Sequence, residues 1–147
     1  MMALTVAIGL FGLLELMNVA VLYFMPGSRK ANGVGVFAAW ERSKADPELH
    51  QFVRYLVYWV AGTKLIFLSL LAVVLVLGSD QARAAAAAVL AVSIAVFFWR
   101  MFPLARRMDA AGQMQPAGYS RLLGVMIGVM VAVFAIVAVM AALGSSA

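Results

Sequence analysis

Two residues of opposite charge stand where charge is costly. Glu15 lies inside the apolar run 4–24, and Lys64 lies inside the apolar run 56–77. An ammonium left bare in hydrocarbon costs at least a few kcal/mol, so ionisable residues at such depth find a partner or water and by default mark function. Glu15 comes nine residues before the end of its run, and Lys64 eight residues after the start of its own. At the rise of an α-helix, both sit roughly 12–14 Å from the same membrane surface. Consecutive helices tend to be neighbours. The matched depth therefore predicts a direct Glu15–Lys64 ion pair, with Asn18 one turn along on the face of Glu15. Such a unit has two chemistries open to it. Glu15 can titrate and carry a proton, or the neutralised pair can serve as packing glue beside a bound polar group.

On a helical wheel His50, Arg54, Val57, Ala61, Lys64 and Leu68 fall near one line. Its polar members form a cationic stripe from the surface down to the pair. That stripe reads either as an access path or anionic-headgroup track, or as two residues resting at headgroup level. Gly124 and Gly128 form a GxxxG motif, continued by Ala135, Ala138 and Ala142. Small residues let helix backbones approach closely in lipid. The motif serves a subunit seam or, as favoured here, packing against the other helices of the same chain. Asp46, Glu48 and His50 are not read as a metal site, because alternate residues of a helix do not share a face and helix capping already accounts for Asp46. The chain has no cysteine, hence no disulfide, thiolate ligand or redox pair. Its single histidine excludes a multi-histidine metal site within one subunit. No phosphate-binding loop or nucleophile elbow is present, so neither a catalytic constellation nor a cofactor is expected.

The elements that must position these residues are helices long enough to cross a bilayer. The 147 residues are 66% hydrophobic and only 12% charged, with a mean hydropathy of +1.03. A soluble domain is nearer half apolar and a quarter charged. Apolar runs at about 4–24, 56–77, 82–102 and 122–143 each suffice for one span. The first is read as a permanent helix and not a secretory signal, since it lacks a basic leading region and carries Glu15 and Asn18. Asp46-Pro47-Glu48 is a helix start, with an N-cap, a proline at the first helical position and an acid at the positive end of the dipole. The second helix is therefore predicted to begin outside the membrane and run in unbroken. Residues 36–44 read as a short surface helix anchored in lipid by Trp40, or equally as a loop packed on neighbouring helix ends. Pro103 is expected to open the third connection, at 103–120.

Cations set the orientation. The first connection and its flanks hold Arg29, Lys30, Arg42, Lys44 and Arg54; the third holds Arg100, Arg106, Arg107 and Arg121; the short second one holds Arg83 alone. Positive residues collect on the cytoplasmic side. The expected fold is thus an all-α integral membrane protein: a single four-transmembrane-helix bundle over residues 1–147, with two longer cytoplasmic connections and both termini extracytoplasmic. The formal charge of +5 is topological in origin, and no nucleic-acid partner is expected. Four spans with a carboxylate in the first resemble the small multidrug transporters in that respect alone. The long connections and the intramembrane lysine depart from that family, and no residue is carried over from it.

The favoured function is non-enzymatic: a multi-pass protein of the plasma membrane that binds a lipid or a membrane protein partner, or a second copy of itself, through its bundle and basic face. The alternatives are an oligomeric proton-linked transporter or channel with Glu15 as titrating group, and an enzyme acting on a membrane lipid.

Overall fold

Local sequence chemistry sets most of the helix ends. The computed structural model describes residues 2–144, and every element of regular structure in it is helical. Helix α1, Met2–Phe24, stops just before Pro26, which has no N–H to give and turns its predecessor away from helical geometry. A single 3₁₀ turn, Val34–Val36, leads into the short α2, Ala38–Ser43. Helix α3, Pro47–Leu77, begins as the sequence predicts: the Asp46 carboxylate accepts from the N–H groups of Glu48 and Leu49, each at 3.1 Å. Helix α4, Asp80–Ala95, is capped by the Ser79 hydroxyl, which accepts from the Ala82 N–H at 3.2 Å. Helix α5, Phe97–Ala110, follows after an interruption at Val96, whose carbonyl accepts from the Trp99 N–H only three residues on. Helix α6, Tyr119–Gly144, completes the fold.

Two expectations are corrected. Pro103 does not open a connection; it lies within α5, which continues to Ala110. A proline removes one hydrogen bond to the carbonyl four residues back, but the helix formers Leu104, Ala105, Arg106, Arg107 and Met108 carry the helix on. The stop comes at Gly112, which adopts a φ of +68°. Trp40 is not a lipid anchor. It is 6% exposed, its ring centroid 4.8 Å from that of His50, and it leaves no room for a side chain at Gly27. The short helix expected here is present as α2, but it packs on the chain's own helix ends, with Trp40 turned inward.

Four helices are long and apolar enough to span a membrane: α1, α3, the α4–α5 unit and α6. Between 6% and 28% of the residues in their most apolar windows are buried inside the chain. Leu13, Leu14, Met17, Val129, Val133 and Ile136 face outward, an arrangement suited to hydrocarbon and costly in water. The helices pack most extensively as two pairs, α1 with α3 and α4 with α6. The pairs join through one core near the start of α1, built from Leu4, Ile8, Phe11, Leu71, Ala87, Leu90, Ala91 and Phe134. Phe11 and Phe134 meet edge to face there at 5.2 Å. A smaller cluster, Val19, Leu22, Val57 and Ala61, joins α1 to α3 nearer the long connections.

At that end the first and third connections pair with each other. Phe37 and Met114 form an antiparallel bridge, in which the Ala38 N–H donates to Gln113 and the Gln115 N–H donates to Val36, at 2.9 and 2.8 Å. Beneath this layer α3 and α5 scarcely touch.

Candidate functional site

Lys64 joins three segments of the chain. Its ammonium donates to Glu15 Oε2 at 2.5 Å and to Asn18 Oδ1 at 2.6 Å. The Asn18 amide nitrogen in turn donates to the carbonyl of Ala31 in the first connection. Ala31 and Asn32 both adopt positive φ, 49° and 56°, a left-handed bend that places this carbonyl above α1. Asn18 is 5% exposed. The side chains of Lys64 and Glu15 keep 29% and 17% of their surface open, so one flank of the pair is not sealed.

The open flank faces a groove of about 410 Å³. Glu15, Asn18 and Lys64 form its polar patch. Val57 and Val60 of α3, Phe97 and Met101 of α5, and Leu123 and Ile127 of α6 make its apolar walls. Asn32, Gly33, Val34, Val36 and Phe37 close it at the connection end, and the Tyr119 hydroxyl donates to Asn32 Oδ1 at 3.2 Å across that lip. Since α3 and α5 scarcely touch, the groove opens sideways between them. At its far end the Phe11–Phe134 core fills the space between the helices. The volume falls within the range of small-molecule sites, which are apolar with a few polar groups fixing orientation.

The polar patch has a definite chemistry. An ammonium has three donors; two of those of Lys64 are used within the chain. Glu15 engages Oε2, which leaves Oε1 as an acceptor. The pair is neutral as a unit, so it offers a ligand one donor and one acceptor side by side.

His50 and Arg54 do not line this groove. His50 Nδ1 lies 2.8 Å from the Ser43 hydroxyl, which itself donates to the Trp40 carbonyl. Arg54 donates to the Tyr58 hydroxyl at 2.9 Å and lies over that ring. Val57 and Ala61, between these residues and Lys64, are 7% and 0% exposed. The stretch of that line between Arg54 and Lys64 thus packs against Val19 and Leu22 of α1. Gly124 and Gly128 face α5: a Cβ on Gly124 would lie 2.5 Å from Phe102, and one on Gly128 would lie 3.9 Å from Phe98. Asp46 caps α3, and no cluster of three or more potential metal ligands occurs among the described residues.

Sequence reasoning missed the groove walls and its lip. Phe97, Met101, Leu123 and Ile127 differ in no visible way from apolar residues that face lipid. Tyr119 and Asn32 are 87 positions apart, and only the pairing of the two connections brings them together.

No protein-family model matches this chain, and neither a curated protein nor a solved structure shows significant similarity to it.

Proposed function

We propose that this chain is a non-enzymatic multi-pass protein of the plasma membrane that binds one amphiphile in the groove beside Glu15 and Lys64. The observation that carries this reading is the sideways opening of an apolar groove onto one neutral, hydrogen-bonding ion pair. Hydrocarbon chains reach such a groove from the bilayer without crossing water. The spare ammonium proton and the spare carboxylate oxygen favour an uncharged polar end with both donor and acceptor, such as a hydroxyl or amide. A net charge there would unbalance the pair in a low-dielectric site. The cation-rich connections face the cytoplasm in this reading, on the positive-inside rule.

Proton-linked transport is the second reading, favoured by an ionisable residue that a groove reaches within a span. The filled core between Phe11 and Phe134 supports binding over conduction through a single subunit.

Photocrosslinking tests the proposal. A monoacylglycerol bearing a chain diazirine is incorporated with the full-length protein in nanodiscs, irradiated, and its adducts mapped by mass spectrometry. Adducts concentrated at Val60, Met101, Leu123 and Ile127 are expected. Adducts spread over outward residues such as Leu14 and Val139, with none in the groove, would refute it.

A further inference from the structure

We propose that a second site, the crevice between α5 and α6, holds an anionic phospholipid, with Arg106 and Arg121 on its phosphate. The crevice encloses about 590 Å³ and shares no lining residue with the groove beside Lys64. Its character changes along its length. Phe98 and Phe102 of α5 stand with Gly124 and Val125 of α6 at the inner end, and Arg106 and Arg121 stand at the outer end. Phe98, Phe102 and Arg106 recur every four residues and so share a face of α5, with about 12 Å of helix between the first and last. A phospholipid has the same layout: an apolar chain running inward from a phosphate at the level of the connections.

The lining carries two arginines and one carboxylate, a net positive charge. The Asp109 carboxylate lies near enough to Arg106 for their charges to interact, but its hydrogen bonds are all made to the start of α6. Oδ1 accepts from the Gly118 N–H at 2.9 Å, and Oδ2 accepts from the Ser120 N–H and hydroxyl at 2.9 and 2.6 Å. The salt bridges among the described residues involve Lys44, Lys64 and Arg83, and neither Arg106 nor Arg121 is among them. Both arginines are exposed residues. Guanidinium forks match phosphate oxygens in shape and charge, and basic pockets between membrane helices at this level take anionic headgroups.

The test is native mass spectrometry of the full chain in mild detergent, offered phosphatidylglycerol or phosphatidylcholine. The protein should retain phosphatidylglycerol preferentially. R106Q combined with R121Q should weaken that retention about thirtyfold, the order expected for two cations at headgroup level, without changing retention of phosphatidylcholine. V125W keeps both arginines but fills the apolar end, and should also lose the lipid. R29Q combined with K30Q, an equal loss of charge elsewhere, should keep it. Equal loss in that control would make the effect bulk attraction and overturn the site. An undiminished preference in the Arg106/Arg121 double variant would overturn it too. Displacement of the lipid by inorganic phosphate at comparable concentration would assign the crevice to a free anion and refute the lipid proposal.

Discussion

Lys64 on α3 and Glu15 on α1, 49 positions apart in the chain, meet at 2.5 Å between two helices long and apolar enough to span a membrane. Asn18 completes the unit and ties it to the first connection through Ala31. The contact links two helices and a loop through one ammonium group, so both helix register and loop position depend on it.

A double-mutant cycle measures that dependence. Glu15→Gln leaves the ammonium without its countercharge, and Lys64→Met leaves the carboxylate without its own. Removing one member of such a pair costs on the order of 3 kcal/mol. The combined Glu15→Gln/Lys64→Met variant should recover much of the loss, as thermal unfolding in detergent would read it. Additive losses would show that the two side chains do not act as a unit.

The tight spot in the α5–α6 contact is Gly124. Gly124→Leu forces a side chain onto the Phe102 ring and should destabilise the chain by about 1–3 kcal/mol, the usual range for overpacking. Gly128→Ala meets its nearest neighbour at ordinary contact distance, 3.9 Å, and should be tolerated. Unfolding temperatures of the two variants, with size-exclusion profiles, check this. A shift to a smaller particle without loss of stability would instead place the glycines at a subunit seam.

The contact at 2.5 Å was legible in the sequence because helical rise turns sequence separation into depth, and polar residues within apolar runs are few. The start of α3 was legible for a similar reason: Asp46 and Pro47 act locally, on N–H groups two and three residues away. The groove was not. In lipid both the inner and outer faces of a helix are apolar, so the periodicity that reveals a core in water carries little information about which face packs. Phe97 and Ile127 therefore gave no signal. Trp40 left two readings open for the converse reason. An indole beside cations fits an interfacial anchor as well as a loop core, and only the close approach at Gly27 decides between them. Pro103 misled because a proline weakens a helix without always ending it.

Asp109 caps α6 from another helix. Asp109→Ala removes the acceptor for two backbone N–H groups and the Ser120 hydroxyl. The expected cost is about 1–2 kcal/mol, comparable to losing an N-cap. Hydrogen exchange should rise first at residues 118–122. Unchanged exchange there would show that water replaces the carboxylate at no cost.

Orientation is accessible to labelling because the chain has no cysteine. Ser43 is buried and so a poor probe, whereas Ala45 and Gln81 are exposed at opposite ends of α3. An impermeant thiol reagent on intact cells should label Gln81→Cys and should reach Ala45→Cys only after permeabilisation. The reverse pattern would invert the topology inferred from the arginines and lysines.

The most direct test of the binding groove counts the amphiphile that stays with the protein. Retention of monoacylglycerol through delipidation is measured by native mass spectrometry in the R106Q/R121Q background, which removes the cations of the α5–α6 crevice. Ile127→Trp fills the groove, while Val139→Trp adds the same bulk to an outward face of α6. A single bound molecule per chain in the background and in the Val139→Trp variant, lost in the Ile127→Trp variant, is the result predicted. Equal retention in all three would contradict a binding site beside Glu15 and Lys64.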